Sequence, residues 1–220
     1  MYLSKLVFDP AARATQKAIA DVSYLHTVVM SGFPAVEGES PRESLGILYR
    51  METLSRGADV QLLAQSRVKP DWERLPRGLL LADDSGDNPS CKPIDGLYEN
   101  LTEDMRLRFR LKANPTRKVK SESGTPQGKR VELVKEEQQR EWLSRKAELS
   151  GFEVISVAVR PDGKVTSAGR GVAASNRLTL FSVTFDGVLH VVDGGKFLVA
   201  LQSGIGPGKA YGFGLLSVAP

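Results

Sequence analysis

Between Met105 and Ala113 the chain alternates without a break: Leu107, Phe109, Leu111 and Ala113 are separated by Arg106, Arg108, Arg110 and Lys112. Successive side chains of an extended chain point to opposite faces, so this pattern fits a strand with one apolar and one basic face. A helix would wind the four cations through the apolar stripe. A half-buried strand of this kind belongs in an antiparallel sheet packed on one side and open on the other. The rest of the sequence has to supply that packing.

Upstream, Tyr2 to Phe8 reads as a strand, and Asp9-Pro10 can cap and open a helix through Ala11 to Ala20. Asp21 can cap a second helical segment, Val22 to Met30, which carries His26 and is ended by Gly32 and Pro34. Gly46 to Glu52 and Ala58 to Ala64 read as strands, Asp71 to Leu75 as a short helix and Gly78 to Leu81 as a further strand. Ala82 to Gly96 is dominated by Asp, Ser, Gly, Pro and Asn, a composition that buries little and connects units. We therefore place an N-terminal domain at residues 1–88, a linker at 89–103 and a C-terminal domain at 104–220.

In the second domain, Asn114-Pro115 ends the alternating strand, a Ser/Gly/Pro loop follows, and Lys129 to Val134 returns as a strand. Glu136 to Leu149 reads as an amphipathic helix with Trp142 and Leu143 toward the core and Gly151 beyond its end. Phe152 to Val159 is a strand and Arg160 to Asn176 an exposed loop or hairpin tip. Arg177 to Phe185 and Val188 to Val192 read as strands joined by an Asp186-Gly187 turn. Asp193 can cap a helix through Ser203, and Leu215 to Val218 is the last strand. The second half thus repeats the helix-and-strand alternation of the first with an extra hairpin, an α+β class, without visible sequence self-similarity.

The 220 residues suffice for one large core or two small ones. No apolar run approaches the roughly 18 residues that span a bilayer, and MYLSKLVFDP has neither a long apolar core nor a cleavage signature, so a cytoplasmic protein without membrane contact is expected. The single cysteine, Cys91, cannot form an internal disulfide and leaves no cysteine-rich zinc site; no metal site or cofactor motif is expected. Net charge is only +4, yet Met105 to Lys135 holds ten Lys/Arg against two Glu. Such a concentration is either a polyanion-binding surface or a solvated face.

The string GIGPGKAYGFG, Gly204 to Gly214, places five glycines in eleven residues. Each would cost about 0.5–1 kcal/mol against alanine inside a regular element. A loop is required, one whose backbone can take positive φ and approach an anion, with Lys209 at its centre. The Walker pattern GxxxxGK[ST] fails, because Ser203 stands at its first glycine and Ala210 after the lysine. GxGxxG fails as well, since Lys209 occupies its final position, and a helix-to-strand loop reverses the order of either nucleotide fold. A purely structural loop stays open at this point.

The pattern G-h-G, five residues, G-h-G (h apolar) is met by Gly204-Ile205-Gly206 and Gly212-Phe213-Gly214 just before the last strand. It resembles the signature of the CRISPR repeat-processing endoribonucleases. MYLSKLV, LRFRLKANPTRK and GIGPGKAYGFGLLSVAP together are similar to the CasE family, the crRNA-processing subunits of type I-E Cascade, over nearly the whole chain.

The resemblance implies two tandem ferredoxin-like (RRM-related) domains, and binding of the CRISPR repeat RNA hairpin as precursor and mature crRNA. It also implies association with other Cascade subunits and metal-independent cleavage at the 3′ base of the hairpin. The RNA's own 2′-hydroxyl attacks in that chemistry, giving a 2′,3′-cyclic phosphate and a 5′-hydroxyl. His26 stands at the place of the family's histidine, and histidine titrates near neutrality as a general acid or base should. The tyrosine common three positions earlier is Ser23 here, with Tyr24 beside it; Thr27 and Ser31 stand where relatives can carry basic residues. Tyr24 and Lys209 are the further catalytic candidates. RNA-binding candidates are Arg106, Arg108, Arg110, Lys112, Arg117, Lys118, Lys129 and Arg130, with Gly204, Gly206, Gly208, Lys209, Gly212 and Gly214 of the loop. His190 is expected to be a structural or exposed strand residue. A noncatalytic RNA-binding or assembly subunit of the same fold is the alternative.

Overall fold

The computed structural model describes residues 1–38, 40–53, 60–82, 86–119, 129–167 and 178–220, with the side chain of Lys129 outside that description. The first half runs β1 (Tyr2–Phe8), α1 (Arg13–Ala20), α2 (Val22–Ser31), α3 (Pro41–Ser44), β2 (Leu48–Thr53), β3 (Val60–Ser66), β4 (Ser90–Pro93) and α4 (Asp95–Glu99). Its sheet has the order β2-β3-β1-β4, with every neighbouring pair antiparallel. The second half runs β5 (Arg106–Ala113), β6 (Thr116–Val119), β7 (Lys129–Glu132), α5 (Glu136–Leu149), β8 (Phe152–Thr166), β9 (Thr179–Val191), α6 (Gly194–Ser203) and β10 (Leu216–Ala219). Its sheet, β10-β5-β9-β8, is antiparallel as well, and β6-β7 is a separate ribbon. With that ribbon set aside, both sheets have the ferredoxin-like strand order, and the α+β expectation is met. Among the described residues no helix is long and apolar enough to cross a membrane.

Each sheet carries its own core. Leu25, Val28 and Val29 of α2 pack with Leu6, Phe8 and Leu62 of the first sheet and with Ile47 just before β2. Trp142 and Leu143 of α5 and Phe197 and Leu201 of α6 cover Leu107, Phe109, Leu111 and Phe185 of the second. The alternation of residues 105–113 is a strand with one buried face: Leu107, Phe109, Leu111 and Ala113 are all buried and Arg106 and Arg108 exposed.

Three local expectations in the first half are corrected. The helix expected from Ala11 begins at Arg13, because the Asp9 carboxylate accepts the Ala11 N–H in a turn of its own and Ala12 becomes the N-cap. Gly78 to Leu81 forms no strand, only an isolated bridge from Leu80 to Phe8. The Asn88 side chain then takes over, accepting from the Val7 N–H and donating to the Val7 and Leu81 carbonyls, each at 2.8 Å. The fourth strand follows at Ser90–Pro93, inside the stretch expected as connector, and pairs with β1.

Asp186-Gly187 is not a turn: β9 runs through it, and a Cβ at residue 187 would meet the Ser156 carbonyl oxygen, beside a bulge between Val154 and Ser156. The glycine is there for close strand approach rather than reversal. The segment from Arg160, expected as a hairpin tip or loop, is strand as far as Thr166 and pairs antiparallel with β9, while 168–177 and the start of the expected strand at Ala58 lie outside the described residues.

The two sheets meet along β2. Arg50, 4% exposed, reaches the Leu215 carbonyl at 3.1 Å and the Arg110 carbonyl at 3.3 Å, and pairs with Glu52 at 2.5 Å. Arg110 ties Glu52 at 2.8 Å to Asp186 at 2.5 Å. Burial alone would raise the Glu52 carboxyl, but Arg50 and Arg110 overcome it and hold the group below its ordinary range. A lowered carboxyl stabilises the fold above the ordinary glutamate range, and that stabilisation is lost as pH falls through the folded value. We expect Glu52→Gln to lower unfolding free energy by about 2–4 kcal/mol at pH 7, since a buried guanidinium loses its counter-charge. The difference from the wild type should shrink below about pH 4 in urea denaturation; a pH-independent difference would remove the carboxylate from the seam's account.

Candidate active site

His26 lies midway along α2, whose start is fixed by the Asp21 carboxylate accepting the Ser23 and Tyr24 N–H groups. Its ring is half-buried and stacks on Tyr49 of β2, centroids 6.5 Å apart and planes 23° from parallel. Tyr49 is fully buried, and burial holds its hydroxyl protonated, far above the usual phenol range. The hydroxyl donates to the Ala210 carbonyl at 2.5 Å. The glycine string is thereby tied to the wall behind the histidine.

That string is a closed loop between α6 and β10, containing one 3₁₀ turn, Lys209–Tyr211, packed on α2 and β2. All five of its glycines sit at φ between +77° and +88°. Two show what fixes the sequence: a Cβ at residue 206 would lie 2.9 Å from the Trp142 ring, and one at 212 would lie 3.3 Å from Tyr49. The loop is closed by Ile205 N–H to the Gly214 carbonyl at 2.9 Å and by Gly214 N–H to the Lys112 carbonyl at 2.8 Å. Lys209 projects from the turn with its ammonium made less basic by burial first and by nearby Arg42 second.

Two cavities flank Lys209. One, about 650 Å³, is also lined by Arg42, Arg67, Glu37 and Glu43. The other, about 370 Å³, is lined by Arg130 of the ribbon, Lys146 of α5 and the loop from Gly204 to Pro207. In the ribbon Lys118 faces Arg130 across the strands, and Arg117 and Lys118 are exposed. Basic side chains thus gather on both sides of Lys209, beside a loop that brings backbone to the surface.

The structure does not bring all the candidates together. Tyr24 is engaged elsewhere, with the Lys17 ammonium 4.3 Å over its ring, and two residues along a helix turns it about 200° from His26. The Thr27 hydroxyl bonds the Ser23 carbonyl and Ser31 the Val28 carbonyl, so these uncharged side chains fold back on their own helix. Arg110 and Lys112 are on the outer face of β5, as the alternation requires, but that face meets β2: Arg110 is in the ion network and Lys112 reaches the Met51 carbonyl at 3.4 Å. Arg106 and Arg108 remain on the open part of the strand, Arg108 bonding the Pro220 carbonyl at 2.9 Å. His190 lies 3.3 Å from Asp104, far along β9 from the loop.

Arg42, Arg67, Tyr49 and Lys146 were not legible as site residues. Tyr49 and Arg42 belong to a stretch without a motif, and only the Ser40-Pro41 start signal could have indicated the helix that presents Arg42. Gly206→Ala should lower stability by about 2 kcal/mol or more, because the left-handed backbone and the indole both oppose the methyl group. Thermal denaturation measures this; a change within about 0.5 kcal/mol, typical of an ordinary surface site, would mean the loop repacks freely.

A profile of the family described as CRISPR associated protein matches residues 1–220. The CRISPR-associated endoribonuclease Cse3 of Thermus thermophilus is 34% identical over 229 residues, covering all of both chains. The CRISPR system Cascade subunit CasE of Escherichia coli (strain K12) is 35% identical over 226 residues with the same coverage. A solved structure of CRISPR endoribonuclease Cse3 bound to 19 nt RNA matches with a TM-score of 0.80 at 31% identity, over 100% of each chain.

Proposed function

This chain belongs to the Cse3/CasE family of CRISPR-associated proteins, and we propose that it is an endoribonuclease that cleaves CRISPR precursor RNA at the 3′ base of the repeat hairpin and keeps the product within Cascade. The observation that carries this reading is the joining of His26, through Tyr49, to a glycine turn presenting Lys209.

Duplex RNA lies against the ribbon, where Lys118, Arg130 and Lys146 meet backbone phosphates, and its major groove is too deep and narrow for ordinary readout. The glycine loop lets the strand at the hairpin base pass close to the protein backbone. Cleavage there needs no metal. The 2′-oxygen forms a bond to phosphorus as the bond to the 5′-oxygen breaks, giving a 2′,3′-cyclic phosphate and a 5′-hydroxyl. One proton leaves the attacking hydroxyl and one reaches the departing oxygen; His26 handles one of these transfers. Lys209 offsets charge gathering on the phosphoryl oxygens, the work that a basic residue at position 27 or 31 could otherwise do. The buried Tyr49 hydroxyl holds the turn and takes no part in proton transfer.

A second reading, RNA binding without cleavage, is favoured by Ser23 in place of tyrosine and by the engagement of Tyr24 with Lys17. One assay separates the two. Wild-type protein should cut its cognate repeat RNA in EDTA, and His26→Ala should slow cutting by about 10²- to 10⁴-fold while keeping hairpin affinity. Absence of any specific cut would leave the binding subunit, and loss of cutting in EDTA alone would overturn the metal-free chemistry.

A further inference from the structure

Of the two cavities beside Lys209, the larger holds two cations, Arg42 and Arg67, for which the reaction as described has no use. Both are held in place. Arg42 donates from Nη1 to the Ile47 carbonyl at 2.9 Å, and the methylene stem of Arg67 lies across Gly46, where a Cβ would approach within 2.8 Å. Ordering long basic side chains around a cavity costs conformational entropy, which a merely solvated charge avoids.

Their electrostatics differ from those of the seam. Arg50 and Arg110 are ion-paired, whereas among the described residues Arg42, Arg67 and Lys209 have no carboxylate within pairing distance. Glu37 and Glu43 line the same cavity and temper its charge without pairing. Burial lowers the basicity of Arg42 and of Lys209, and Arg42 lowers Lys209 further. Like charges partly withdrawn from water, as Arg42 and Lys209 are, are relieved by an anion, and Arg67 stands exposed at the rim beside them. Oxygen ligands from a phosphate suit two guanidinium groups and an ammonium.

The position identifies which phosphate. Lys209 separates this cavity from the one shared by Arg130 and Lys146. Arg42 is close enough to Tyr49 to act on its hydroxyl electrostatically, and Tyr49 backs His26. Because Lys209 lines both cavities, a strand that leaves a duplex on the ribbon side and passes Lys209 at the scissile phosphate reaches Arg42 and Arg67 next. We propose that the Arg42–Arg67–Lys209 cavity binds the first backbone phosphates of the single-stranded RNA on the 3′ side of the cleaved bond. This rests on the nuclease reading above and extends it: the site grips uncut precursor through a segment that the hairpin product no longer has. It therefore favours precursor over product at the moment of binding and releases its ligand when the bond breaks.

The test compares two repeat RNAs, each with a 2′-deoxy nucleotide at the attacking position so that neither is cut. One ends at the cleavage site and one continues into a single-stranded 3′ flank. Wild-type protein should bind the flanked RNA about tenfold more tightly, the scale of a charge-assisted phosphate contact. Arg42→Ala and Arg67→Ala should each remove most of that advantage while leaving affinity for the flank-free hairpin unchanged, which also shows that the variants are folded. Arg67→Lys should restore part of it. A neutral methylphosphonate in the flank should reproduce the loss with the unaltered protein. No flank advantage in the wild type, or one that survives both substitutions and the methylphosphonate, overturns the proposal. Failure of the nuclease reading shows separately, as no cut in an all-ribose flanked repeat.

Discussion

Tyr49 is buried in the core of the first sheet, yet its hydroxyl reaches beyond that core to the Ala210 carbonyl of the glycine loop. A buried phenol needs a partner, and the docked loop supplies it. Once docked, the loop sets the other distances that matter. It places Lys209 between the two cavities, rests on Trp142 of the second core, and fills the space under the helix that carries His26. The left-handed glycines are what allow a backbone to be pressed so close to two aromatic side chains from different cores.

The Arg50 network does for the sheets what Tyr49 does for the loop. A charge at 4% exposure is tolerated because Glu52 and two main-chain carbonyls surround it, and those carbonyls belong to the second half, one in β5 and one just before β10. Moving the sheets apart would leave a guanidinium unpaired in a dry place. Such an arrangement penalises misplacement more than it stabilises the correct placement, which suits a site assembled from elements of both halves.

Much of this was legible from local pattern. The alternation of residues 105–113, the Asp21 and Asp193 caps and the helix around Trp142 depend on neighbours in sequence, and the structure has each of them. The glycine string was recognisable as a constrained loop for the same reason. What failed was decided by residues distant in the chain. Asp186-Gly187 has the composition of a turn, but the Ser156 carbonyl across the ladder requires a glycine within a strand. Ser90–Pro93 looks like linker and becomes a strand because β1 offers it an edge. Arg110 and Lys112 read as surface cations until β2 is packed against them. Tyr49 and Arg42 have no local signature at all; their roles arise only where α2, β2 and the loop meet.

The family resemblance pointed to His26, and the geometry adds what lies behind and beside it. The central claim is that the docked loop and the histidine define one place where the RNA backbone is cut. A crystal structure of this chain with uncleavable repeat RNA tests it most directly. The account predicts the phosphate at the hairpin's 3′ base within hydrogen-bonding reach of the His26 imidazole, with the Lys209 ammonium on its oxygens. A well-ordered complex with that phosphate lying instead along Arg106 and Arg108, away from the Tyr49–Ala210 contact, would contradict it.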